Sequence, residues 1–131
     1  MAKPHKTMNT PLKRVRGLGS ARGGTHHFWI QRVTAVALIP LSLLLMCTVI
    51  RLAGADHATV KAAFGNPLVA LLALLTILAA FWHFKLGSQV IVEDYVHAEG
   101  AKLATLLAIT FAIFVVGGIA AIAVLKLFFG A

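Results

Sequence analysis

His83, Asp94 and Tyr95 lie within one stretch of chain, WHFKLGSQVIVEDYVH, most of which is apolar enough to sit inside a membrane. If the stretch is helical, the rise of about 1.5 Å per residue puts the carboxylate and the phenol roughly 16 to 18 Å from the imidazole along the axis. His83 is then about 15 Å deep and the other two at headgroup level. A polar group at that depth costs several kcal/mol if unpaired, so an ionisable residue inside a span is first of all a functional candidate. At the water edge, a phenol can donate to a carbonyl, while Asp94 and the nearby His97 can relay protons.

Helical geometry says what surrounds the imidazole. At 100° per residue, Ala79, His83, Gly87 and Asp94 share one face, with Asp94 only about 20° from His83 and Thr76 and Ala80 flanking the stripe. The small side chains leave a flat surface, which suits a planar macrocycle; a haem held by histidines of two helices fits it. Reduction of a lipid-soluble quinone needs electrons and protons together, which favours the place where membrane meets water, the level of Asp94 and Tyr95. Two other readings stand beside this one. His83 and Asp94 could form a proton relay in a small haem-free transporter or assembly factor, or the chain could be a structural anchor whose imidazole hydrogen-bonds to a neighbouring helix. Lys85 lies about 200° from His83 and is expected to send its long stem toward the inner headgroups.

These residues need helices to hold them. Sixty per cent of the 131 residues are hydrophobic and 12% charged, with a mean hydropathy of +0.90. Soluble domains carry about 25% charged residues, so the chain is an integral membrane protein with no room for a soluble catalytic domain. Three apolar stretches, at about 29–50, 68–92 and 103–129, each reach the roughly 20 residues a spanning helix needs. The expected fold is all-α: three transmembrane helices that pack with a partner subunit into a larger helical bundle. Phe28 and Trp29 suit the interface at the start of the first span, and Pro40 is tolerable mid-span if neighbouring helices support the kink. Residues 51–67 read as a short outer loop holding His57, with Pro67 opening the second helix. Gly117 and Ala121 give small-xxx-small spacing on the third.

Seven of the twelve Lys and Arg residues precede residue 33, and the first of the four acids is Asp56. Basic residues beside a first span keep that flank cytoplasmic, so the N-terminus is expected there and the C-terminus across the membrane. Residues 1–24, with several glycines, read as a flexible basic tail, and 25–131 as the anchor. The tail is acid-free like a transit peptide but lacks the apolar core of a secretory signal, and its retention is expected. Nucleic-acid binding is not indicated, since basic residues flanking a span serve topology and anionic lipid. The single cysteine, Cys47, excludes an internal disulfide, an iron–sulfur cluster and a c-type haem attachment. It reads as a small buried hydrophobe. No dinucleotide fingerprint is present.

Two motifs carry a resemblance over about residues 20–131. One is Gly24-Thr25-His26-His27-Phe28 with Arg32 and Thr34-Ala35-Val36; the other is His83 with Gly87, Gln89 and Val90, running to Asp94-Tyr95-Val96. They resemble the hydrophobic, D-type membrane anchor subunit of succinate:quinone oxidoreductase, respiratory complex II. That resemblance implies that His83 is one axial ligand of haem b and its iron, the second coming from a cytochrome b anchor subunit. It implies that Tyr95 hydrogen-bonds ubiquinone, with Asp94 beside it for proton delivery. Arg32 and His26 would face the haem propionates or the quinone pocket, where a guanidinium can bind carboxylates bidentately. His27 stands where some relatives have Asp, so no role is placed on it. Succinate oxidation on FAD, and electron transfer through iron–sulfur clusters, would belong to flavoprotein and iron–sulfur partner subunits. The isolated chain has no catalytic site for succinate. A bacterial inner membrane is the expected location.

Overall fold

The computed structural model describes residues 10–16 and 22–130, and all regular structure among them is helical. The elements in order are α1 (Pro11–Arg16), α2 (Arg22–Arg51), α3 (His57–Phe64), α4 (Pro67–Tyr95) and α5 (Glu99–Phe129). Most of the expected tail lies outside the described residues. Three helices, α2, α4 and α5, are long and apolar enough to cross a membrane, which makes the chain a multi-pass membrane protein.

The spans run further than their apolar cores suggest. Continuing α4 to Tyr95 carries it past the apolar stretch 68–92 and makes Glu93 and Asp94 helical, and α5 begins at Glu99, so these acids flank a break of three residues, 96–98. Glu99 in the first turn of α5 suits the positive end of that helix. The outer connection also differs from the expected loop, because it contains α3. Asp56 caps this helix by accepting from the Thr59 amide at 3.2 Å. Hydrogen bonding from the Thr59 side chain first, then from its amide, with a small contribution from the adjacent His57, lowers the Asp56 carboxyl from its ordinary value. Asn66 accepts from Leu68 N–H at 2.9 Å and Pro67 occupies the first helical position of α4, where its missing N–H costs nothing. Lys61 then reaches from α3 to the carbonyl of Gly130, at 2.6 Å. Gly130 has φ +75°, the left-handed conformation that ends α5 and that glycine adopts without strain.

Helix α4 is the middle of the arrangement. Both α2 and α5 pack along it, and they do not pack on one another. The pairing with α2 is antiparallel: Leu45 lies near Ala70 and Ala73 toward the N-terminal end of α4, and Gln31 lies beside Gly87 toward its C-terminal end. Helix α5 runs antiparallel as well, with Val124 against Ala70 and Ala73 and Gly117 against Phe81. A Cβ on Gly117 would sit 3.2 Å from the Phe81 ring. Its absence therefore lets the ring lie on the backbone of α5, the close approach expected from the Gly117/Ala121 spacing.

The result is a row of three helices with two open faces. Buried side chains are few: Ala70, Ala73, Thr76, Leu86 and Val92 on α4, and Ile113 and Val124 on α5. Thr76 satisfies its hydroxyl on Leu72 O at 2.7 Å. None of the α2 span is buried within the chain, and Cys47, read as a buried hydrophobe, is exposed. In a membrane such a face must meet lipid or another protein, and α2 is the helix that leaves most of its surface free for that.

Candidate functional site

The part of the α2–α4 contact toward the C-terminal end of α4 holds the polar chemistry. Antiparallel packing brings Thr34 opposite His83, with Thr34 Oγ1 3.0 Å from His83 Nδ1. One turn further on α4, Gly87 has no side chain, and Gln31 of α2 fills the space, its amide nitrogen 3.9 Å from where a Cβ would stand. The stripe Ala79–His83–Gly87 expected to form a flat, open surface is thus partly used for packing against α2. A Cβ at Gly87 would stand in ordinary contact with Gln31, so the glycine is not needed to admit that side chain.

Beside this contact lies a cavity of about 340 Å³, bordered by Phe28, Gln31, Arg32, Ala35 and His83. Arg32 and His83, drawn from two helices and 51 positions apart, share this space. The Arg32 guanidinium carbon sits 4.3 Å from the centre of the Phe28 ring, a cation–π contact that holds the cation at the cavity wall without neutralising it. His26 does not border the cavity and is exposed. Its neighbour His27 turns inward instead. It borders a second cavity of about 340 Å³ with Gly24, Gln89, Val90 and Glu93, and its Nε2 is buried with no hydrogen-bond partner among the described residues. Gln89 donates to Glu93 at 2.7 Å on the rim of that cavity.

Thr34, Gln31 and His27 are the site residues that sequence reasoning passed over. Thr34 and His27 stand inside the motif that carried the resemblance. A threonine in an apolar helix one residue before an alanine gives no sign, however, that a helix 49 positions later will set an imidazole against it.

Asp94 and Tyr95 end α4 and are exposed, Tyr95 at 78%. The helix runs unbroken from His83 to Tyr95, so the axial separation of about 18 Å follows from twelve residues of regular rise. Lys85 lies off the His83 cavity, as its angular position requires, but its ammonium does not extend toward the inner end of α4. It rests 5.3 Å from the Trp82 ring and 6.0 Å from that of Phe114, in an α4–α5 groove of about 200 Å³. Helical side chains lean toward the N-terminus of their helix. On α4 that direction leads from Lys85 to Trp82 and away from the C-terminal end of the helix, the end its stem was expected to approach.

What the α2–α4 site can do follows from its donors. The imidazole has one ring nitrogen engaged by a hydroxyl, and the other makes no hydrogen bond among the described residues. That is the arrangement of a metal-binding histidine, whose second nitrogen is held by a neighbour. A fixed cation stands in the same cavity, suited to an anionic substituent of whatever the imidazole binds. The residues present therefore fit a haem with propionates. Among the described residues no cluster of three or more His, Cys, Asp or Glu is positioned to hold a bare metal ion.

Comparison with known proteins finds membrane subunits. The family described as succinate dehydrogenase/fumarate reductase transmembrane subunit matches residues 6–117. The succinate dehydrogenase hydrophobic membrane anchor subunit of Paracoccus denitrificans is 37% identical over 102 residues, 78% of this chain and 79% of the relative. That of Rickettsia bellii is 29% identical over 98 residues, 75% of this chain and 78% of the relative. The membrane anchor subunit of Reclinomonas americana is 30% identical over 88 residues, 65% and 73% of the two chains. No solved structure gave a significant match. The chain belongs to the succinate dehydrogenase/fumarate reductase transmembrane subunit family, as a hydrophobic membrane anchor subunit of succinate dehydrogenase.

Proposed function

We propose that this anchor holds the flavoprotein and iron–sulfur subunits at the membrane, supplies one axial ligand of a haem b through His83, and contributes Tyr95 and Asp94 to ubiquinone reduction. The observation that carries the reading is the shared cavity of His83 and Arg32, an imidazole and a guanidinium brought together from two apolar helices. A second anchor subunit, a cytochrome b chain, completes the haem site and covers the open face of α2. When bound, the haem supplies a one-electron redox centre inside the bilayer. The chain's own part is to present the imidazole, to hold Arg32 for a propionate, and to keep water from the middle of the α2–α4 contact.

At the inner end of α4 the work is different. The Tyr95 phenol donates a hydrogen bond to a quinone carbonyl, and Asp94 next to it accepts protons from water and passes them on. His26, exposed near the start of α2, belongs to this interfacial region rather than to the His83 cavity. The basic N-terminal side, residues 1–24, faces the cytoplasm of a bacterium, and the odd number of spans puts the C-terminus in the periplasm. The proton-relay alternative has less support, because His83 is engaged by a threonine and Asp94 stands about 16 Å further along the helix.

The test is purification of the complex through a tag on this chain. A flavoprotein and an iron–sulfur protein should co-purify, with a b-type reduced-minus-oxidised spectrum that His83→Ala removes while the subunits stay together. A haem-free wild-type complex with full quinone reductase activity would overturn the His83 assignment.

A further inference from the structure

Thr34 makes three contacts through one hydroxyl. Its Oγ1 lies 2.8 Å from Ile30 O, 3.0 Å from Gln31 O and 3.0 Å from His83 Nδ1. A hydroxyl has one proton and two lone pairs. Both carbonyls can only accept, and two bare oxygen–oxygen contacts at 2.8 and 3.0 Å would repel, which favours giving the proton to one of them; Ile30 O, one helical turn back, is the nearer. The contact with His83 must then run the other way, with the imidazole donating Nδ1–H to a hydroxyl lone pair. The neutral ring carries a single N–H, and a proton on Nδ1 leaves Nε2 with its lone pair bare. The opposite assignment would turn the hydroxyl proton to His83 Nδ1 and leave Nε2 protonated, so that neither ring nitrogen keeps a lone pair free for a metal.

From this we propose that Thr34 is the positioning residue of the haem site: its hydroxyl, oriented by the α2 backbone, fixes the Nε2-free tautomer and the ring orientation of His83 and tunes the ligand it presents. The inference rests on His83 being an axial ligand and adds what holds it in that state. The sequence around it suits the role. Thr34 lies on the face of α2 that meets α4 and is half-buried, and the adjacent Ala35 borders the His83 cavity without obstructing it. A donated Nδ1–H makes an imidazole more basic and a stronger ligand to the oxidised metal. Removing the acceptor therefore favours the reduced metal and raises the midpoint potential.

The experiment uses the whole complex carrying Thr34→Val, which keeps the shape and deletes the hydroxyl, beside Thr34→Ser, which restores it. The valine variant should retain its partner subunits and show an altered low-spin ferric resonance. Its ratio of ferrous to ferric haem at the wild-type midpoint should rise about threefold to tenfold, tenfold being about 59 mV for a one-electron couple. The serine variant should return both readouts to wild type. Loss of haem from the valine variant alone, with subunit stoichiometry intact, supports the proposal equally. A valine complex with wild-type resonance and potential overturns it, and so does a serine complex displaced as far as the valine one. Where valine prevents assembly, Thr34→Ala carries the same comparison. His83→Ala separates the two levels of the argument: haem lost there with a silent Thr34→Val refutes only the role of Thr34, whereas haem retained there refutes the ligand itself.

Discussion

His83 and Lys85 stand two residues apart near the middle of α4, and their surroundings have little in common. The imidazole faces α2, meets a hydroxyl at 3.0 Å and borders a cavity that also holds Arg32. The ammonium faces the α5 side and rests among Trp82, Phe114 and apolar side chains. The two contacts of α4 are built to match. On the α2 side, small residues and polar groups leave space; on the α5 side, the Phe81 ring is pressed to the backbone at Gly117 and the core residues gather. The difference teaches how a three-helix chain divides its labour. The α4–α5 pair holds the buried cluster of Ala70, Ala73 and Val124, and the α2–α4 pair sets an imidazole, a hydroxyl and a guanidinium beside one cavity, which under the proposed function is half of a site shared with a second anchor subunit.

The largest expected effect breaks this contrast directly. His83→Ala should abolish the b-type spectrum of the purified complex, whereas Lys85→Met should leave its intensity and position unchanged. A cation–π contact is worth about 0.5–2 kcal/mol, so the lysine variant costs some thermal stability and no haem. Spectral loss in both variants would mean that the two faces are not independent.

Next in size is Gly117→Leu, aimed at the α4–α5 contact. The new side chain meets the Phe81 ring at once, because even a Cβ would stand 3.2 Å from it. Overpacking of this kind costs about 1–3 kcal/mol. The expected outcome is a complex with lowered melting temperature in detergent whose surviving fraction keeps a normal haem spectrum. Gly118→Ala, where nothing lies within 4 Å, is the matched control and should behave as wild type.

The legible parts of this molecule and the illegible ones differ in kind. Span number, the helical continuity of His83 to Tyr95 and the separation of Lys85 from His83 all follow from local periodicity and rise, which a sequence records. The helix α3 was hidden because its eight residues are too short for a hydropathy pattern, although Asp56 three residues before Thr59 was a capping signal in plain view. The direction taken by Lys85 was open to reasoning from the tilt of helical side chains, a local rule outweighed by the general habit of lysines near membranes. Thr34 and Gln31 were another matter. Their importance depends on the register between α2 and α4, a non-local quantity that no residue of α2 announces. The same holds for His26 and His27, adjacent and alike in type, of which only the register decides that His27 turns inward.

The smallest effect expected concerns Tyr95, and it sharpens the contrast by testing a site on neither contact face. Tyr95 ends α4 about 18 Å from His83, exposed and outside the α2–α4 cavity. Tyr95→Phe removes one hydroxyl and leaves the ring. A hydrogen bond to a neutral carbonyl contributes about 0.5–1.5 kcal/mol, which is about twofold to tenfold in an equilibrium constant. Steady-state quinone reduction should therefore show a KM raised by about that factor, or kcat lowered by it if the bond tightens as the carbonyl gains charge, while the haem spectrum and potential stay as in the wild type. Unchanged quinone kinetics would remove Tyr95 from the site. A shifted haem potential would join two levels of α4 that the geometry keeps apart, and the proposed division between the His83 site and an interfacial one would have to be redrawn.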